Sequence, residues 1–191
     1  MSTENEKAVT DEKTVENTPT PKPAPTWVMI VGQRSIVHGA EGNRPSAEER
    51  KEREAWVRET VAGHLSKPNV VLMLSGGSAG PERIAAAVAT ELRIDWCEYR
   101  LDGRKVFNDG RKFPWLASMP DPHSDEAKQL PAYRYQVMVE EMADQQERFG
   151  VRVELLVLRD PSSPSTEADV VTGLGTRFRL EDVVVEECPL A

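Results

Sequence analysis

The chain alternates between short apolar runs and stretches in which apolar residues return every third or fourth position. Trp27-Val-Met-Ile-Val-Gly32 is a continuous apolar run closed by glycine, the pattern of a strand buried on both faces. After a polar loop through Arg44, Ser46 and Glu49 form an S-x-x-E capping pair behind Pro45. Val57, Val61 and Leu65 then recur at helical spacing on a charged background, predicting a helix over 46–65. Val70-Val-Leu-Met-Leu74 predicts a second strand. Ser75-Gly-Gly-Ser-Ala-Gly80 follows as a tight loop into a helix with Pro81 in its first turn and Ile84, Ala85, Val88 and Leu92 on one face. A third strand is predicted over 94–100, a helix carrying Tyr135, Met138, Val139 and Met142 over 132–149, and a fourth strand over 151–158. A loop over 160–167 leads into a short helix ending near Gly173 and Gly175, and Val183 to Val185 mark a last strand. Strands alternating with helices predict an α/β fold: a Rossmann-like three-layer domain over 27–191 with a mostly parallel sheet of about five strands.

Two segments stand apart from this pattern. Residues 1–26 contain no aromatic residue, five acids, three lysines and a closing Pro19-Thr-Pro-Lys-Pro-Ala-Pro25 tract. Such a segment cannot bury enough apolar surface to offset its chain entropy, and it reads as an extended arm, disordered or bound along a partner. Residues 101–130 carry Gly103, Gly110, Pro114, Pro120 and Pro122 among Phe107, Phe113 and Trp115. They read as a long irregular segment of the length found in lids and partner surfaces.

Composition narrows the function. The 191 residues include 32 acids against 24 lysines and arginines, a formal charge of −8, with no basic block, which disfavours nucleic acid as a partner. No apolar run approaches the roughly 20 residues of a bilayer span and no secretory leader pattern opens the chain, so a cytoplasmic protein is expected. Cys97 and Cys188 lack metal-ligand spacing and read as reduced thiols, and no metal or cofactor is implied. His38, His64 and His123 show no ligand spacing and read as solvated.

Candidate chemistry gathers at the carboxyl ends of the predicted strands, the edge at which open α/β sheets bind ligands. Gly32-Gln33-Arg34 ends the first strand, and Arg34 could clamp a phosphate or carboxylate with its planar fork. Gly76, Gly77, Ser78 and Gly80 precede a helix, where free amides and the helix dipole suit an anion. Glu82 opens that helix. Arg134, expected to open another, would oppose its dipole, which hints at a use beyond helix stability. Ser165 and Thr166 offer hydroxyls that serve either an anion or a helix cap.

The order of these motifs, G-Q-R at 32–34, G-G-S-A-G-P-E-R-I-A at 76–85 and R-Y-Q-V-M at 134–138, resembles the SLOG superfamily, most closely its YspA-like members. The resemblance covers about residues 27–172. It implies a Rossmann-like domain, often a homodimer, that binds a nucleotide or nucleotide derivative through Gly32, Arg34, Gly76, Gly77, Ser78, Gly80, Glu82, Arg134, Ser165 and Thr166. Related LOG enzymes cleave nucleoside monophosphates with an arginine and a glutamate. Here Glu82 replaces an aspartate of the pattern, Tyr135 replaces an asparagine, and Pro161-Ser-Ser-Pro-Ser-Thr166 replaces a glycine-rich loop. The expectation is therefore a non-catalytic nucleotide-type sensor or sequestering protein and a homo-oligomer. The alternatives are an assembly protein using the arm and residues 101–130 as contact surfaces, or a LOG-like phosphoribohydrolase.

Overall fold

The computed structural model describes residues 23–39, 44–163 and 166–189, so the arm expected over 1–26 lies outside the described residues up to position 22. The described chain forms β1 (Thr26–Gly32), α1 (Ser35–His38), α2 (Ala47–Leu65), β2 (Val70–Ser75), α3 (Pro81–Glu91) and β3 (Asp95–Tyr99). These are followed by β4 (Arg104–Phe107), β5 (Lys112–Pro114), α4 (Asp125–Phe149), β6 (Arg152–Arg159), α5 (Thr166–Arg177) and β7 (Asp182–Glu187). One sheet runs β5-β4-β3-β2-β1-β6-β7. The five strands from β3 to β7 in that order are parallel, while β4 and β5 run antiparallel at one edge.

The sheet is thus larger and more mixed than the five strands expected. The additional strands lie in the segment read as irregular: Asn108-Asp109-Gly110 turns the chain between β4 and β5, with Gly110 at φ +85°. D-G is a hairpin signal, but strands of four and three residues rich in Arg and Lys are too short to show an alternating pattern.

Side-chain alternation along β1 explains the layers. Val28 and Ile30 point into a core shared with Ile36, Val57, Val61, Leu65, Ala85 and Val88 of α1, α2 and α3. Met29 and Val31 point the other way, into a core with Tyr135, Met138, Val139, Met142, Ala168 and Val171 of α4 and α5. Burying each such Ile, Leu or Met contributes roughly 1.5–3 kcal/mol, so both faces of β1 are anchored many times over.

Two helices depart from their expected bounds. Helix α4 starts at Asp125, capped by Ser124, whose hydroxyl accepts from the Ala127 amide at 3.2 Å, and it carries Pro131 inside. Proline in a helical pattern reads as a boundary, which is why the helix was expected from 132. Arg134 therefore lies well inside α4, and the dipole argument for it does not apply. Helix α5 runs through Gly173 and Gly175 to Arg177. A Cβ on Gly175 would meet Leu155 Cδ2 at 2.8 Å, so that glycine lets the helix approach the sheet and does not end it.

At the amino edge of the sheet, His64 of α2 corrects the reading of solvated histidines. Its side chain is 13% exposed, with Nδ1 bonded to Glu154 Oε1 of β6. Lys67 Nζ donates to Glu154 Oε2 at 2.7 Å. A strand glutamate inside an apolar run gives no notice in sequence of the partners that bury it.

Candidate functional site

Parallel pairing puts the ends of β1, β2, β3 and β6 on one edge. Register aligns Ile30 with Ser75, Ser75 with Glu98 and Gly32 with Leu158. The turn after β1 is stitched to the turn after β6 by buried Gln33, whose Oε1 accepts from the Asp160 amide at 2.6 Å. A glutamine between glycine and arginine shows no partner in sequence, so the role of Gln33 is legible only in the fold.

The loop after β2 is held from beneath by a buried polar network. Glu82, the second residue of α3, is fully buried, with Oε2 accepting from the Ser78 amide at 2.7 Å and Oε1 from the Tyr135 hydroxyl at 2.9 Å. Arg134, 2% exposed, donates Nη1 to the Gly76 carbonyl at 2.6 Å and Nη2 to Ser78 Oγ at 3.2 Å. A Cβ on Gly76 would lie 2.7 Å from the guanidinium carbon, so only glycine admits the arginine. Burial pushes the Glu82 carboxyl above its ordinary range, opposed by the Arg134 charge and the bonds from Ser78 and Tyr135. Four expected site residues, Gly76, Ser78, Glu82 and Arg134, thus converge, joined by Tyr135.

The Ser78 amide is committed to Glu82, and the Arg134 guanidinium to the loop. The exposed part of the loop is Gly77 and Ala79, and among the described residues their amides and that of the buried Gly80 donate to nothing. Gly80, at φ +95°, precedes α3 without a side-chain cap, and Pro81 brings no N–H. Gly32 packs so closely on this turn that a Cβ there would meet Pro81 Cβ at 2.3 Å.

Arg34 belongs to a different part of the edge. It is exposed, and its Cα lies 3.6 Å from where a Cβ on Gly80 would be. Its hollow is lined by Val37, His38, Arg44, Pro45 and Arg50 and does not include Arg134. Thr166 is the first residue of α5, while Ser165 lies outside the described residues.

A second buried acid marks the junction of β1 and β6. Asp160 is fully buried, and its Oδ1 accepts from the Ser162 amide at 3.0 Å and hydroxyl at 2.6 Å. Burial alone would raise its carboxyl, but Ser162, the neighbouring Ser35 hydroxyl and the Arg53 charge outweigh that and hold it below the ordinary aspartate range.

Cys97 and Cys188 are unpaired and buried, and burial pushes the Cys97 thiol up to about 12, which leaves it unreactive. Among the described residues no group of three His, Cys, Asp or Glu side chains could hold a metal, and no helix is long and apolar enough to cross a membrane. Comparison with protein-family models, with curated proteins and with solved structures finds no match, so the geometry carries the functional reading.

Proposed function

We propose that this Rossmann-like domain binds a nucleotide or nucleotide-derived ligand at the carboxyl edge of its sheet, as a sensor or sequestering protein without hydrolytic activity. The observation that supports binding is the loop after β2. Its underside is tied down by Glu82 and Arg134, while the amides of Gly77, Ala79 and Gly80 are left without partners at the start of α3. A rigid loop presenting unpaired amides binds an anionic group with little ordering cost. The same network supports a role without hydrolysis. A general acid or base must reach its substrate's proton, and both carboxylate oxygens of Glu82 already accept internal bonds.

The test is a thermal-shift and equilibrium-dialysis panel of nucleoside mono-, di- and triphosphates, with the free nucleosides as controls. Saturable binding without release of free base is expected. If no nucleotide binds, the reading fails, and release of base would return the LOG-like alternative.

One observation favours the assembly reading. Leu116, Met119, Pro120, Leu130 and Tyr133 line a groove of about 530 Å3, with Leu101, Phe113, Met119 and Tyr133 all more than 40% exposed. Apolar exposure of this kind marks contact surfaces. A homo-oligomer that loses mass on Met119→Asp would support that role beside ligand binding.

A further inference from the structure

The hollow beside Arg34 has a lining that the composition of the chain does not lead one to expect. Acids outnumber lysines and arginines 32 to 24 overall. Yet among the described residues this hollow is lined by Arg34, Val37, His38, Arg44, Pro45 and Arg50, with no acid. Arg50 pairs at 2.8 Å with Glu54, an exposed contact one turn along α2 that contributes little. Among the described residues neither the Arg34 nor the Arg44 guanidinium has a hydrogen-bond or ion-pair partner, while the Arg34 carbonyl accepts from the His38 amide at 3.1 Å. Two guanidinium groups without a paired acid, and a third shared with Glu54, crowd like charge around one concavity.

We propose that this hollow is a binding site for a phosphoryl dianion, either inorganic or the phosphate end of a larger ligand. Guanidinium forks match the oxygens of a phosphoryl group through paired N–H donors, which a lysine cluster would not do. The size fits a group and not a whole molecule. The volume is about 240 Å3, below the roughly 300–1,000 Å3 of sites that enclose a drug-sized ligand. Gly80 completes the argument: a Cβ there would come within 3.7 Å of His38 Cδ2, so the hollow adjoins the turn whose amides are free. The proposal builds on the ligand-binding reading above by giving the phosphate of that ligand its own seat.

His38 supplies a built-in reporter. Burial, then the charges of Arg34 and Arg50, hold its imidazole below the ordinary value of 6.5, with Glu54 opposing them. A dianion in the hollow offsets the arginine charges, so its arrival must raise the His38 titration midpoint.

The experiment is an NMR titration of the imidazole signals of the full chain at low ionic strength. The three arms are inorganic phosphate beside pyrophosphate, a nucleoside monophosphate with its parent nucleoside, and sodium chloride at matched ionic strength. Saturable shifts at His38 with pyrophosphate, a raised His38 midpoint and unshifted His64 and His123 are expected. Affinity should weaken more than about tenfold in an Arg44→Gln, Arg50→Gln variant, about 1.4 kcal/mol or more. Those side chains lie on the surface, and the melting temperature verifies that the variant folds. Equal His38 responses to chloride and pyrophosphate would overturn the proposal, as would nucleotide affinity unchanged in the double variant. The second result would leave the nucleotide reading standing. Inorganic phosphate binding in the hollow as tightly as the nucleoside monophosphate would keep the phosphoryl site and sink the nucleotide reading.

Discussion

Arg134 reaches from the interior of α4 to the carbonyl of Gly76, 2.6 Å away, through the space that any side chain at position 76 would fill. With the Arg134–Ser78 and Tyr135–Glu82 bonds, this contact joins the helix layer on one face of the sheet to the loop that precedes α3 on the other. It gives the glycine a packing reason distinct from backbone freedom, and two substitutions separate these causes. Gly76→Ala must displace the guanidinium and break its bonds, a loss of about 2–3 kcal/mol. Gly63→Ala, at a helical position where an added Cβ meets nothing within 4 Å, should gain about 0.5–1 kcal/mol. Urea denaturation of both variants measures the contrast, and a neutral Gly76→Ala would show that the arginine is not held as described.

The Glu82 network has a pH signature. Because burial raises the folded carboxyl above its ordinary value of 4.5, the native state holds a proton more tightly than the unfolded chain. Its contribution to stability is present at low pH and falls as pH rises through the interval between the two values. Glu82→Gln should remove that slope. Arg134→Met takes away the charge that opposes the shift, costing about 3 kcal/mol or more, and adding Glu82→Gln should restore part of the loss. Denaturation curves across pH for the three variants would reveal independence if the losses simply add.

Glu154 carries the opposite sign. Burial resists its charge, but the bonds from His64 and Lys67 win, and the folded carboxyl lies below 4.5. Its stabilisation is therefore complete above 4.5 and is lost as pH falls through the lowered folded value. Glu154→Gln should cost about 2 kcal/mol at neutral pH and flatten the acid limb of the stability curve. An unchanged acid limb would assign that limb to other carboxylates.

A chain beginning at Pro23 should melt at the same temperature as the full chain at low concentration. The contact nearest the arm, Arg152 N–H to the Pro25 carbonyl at 2.9 Å, is retained. Residues 1–22 bring no aromatic side chain to a core. If they dock on a second copy, the two chains diverge only as concentration rises. Loss of stability at every concentration would mean that they pack on their own domain.

The alternating strand and helix units are legible along the chain, because each is signalled locally. The apolar run at β1 reads without any tertiary knowledge, as do the Ser46 capping pair, in which the Ser46 amide donates to Glu49 and the Glu49 amide to Ser46, and Pro81 at the start of α3. The sequence also marks Gly76, Ser78, Glu82 and Arg134, since the spacing of the motifs survives as spacing in the sheet. Tertiary structure alone decided what those residues do. An acid in the second position of a helix is ordinary in sequence, and only burial beside Tyr135 and Arg134 makes Glu82 a tie for the loop. The β4–β5 hairpin was too short to announce itself, and Pro131 hid the first turns of α4. His38, Arg44 and Arg50 are scattered between a strand end and a helix face, and only the fold of the chain between them makes one hollow. Local pattern reports which atoms neighbour along the chain; charge, burial and free amides depend on which atoms neighbour across it, and that information exists only once β1 is paired on both sides.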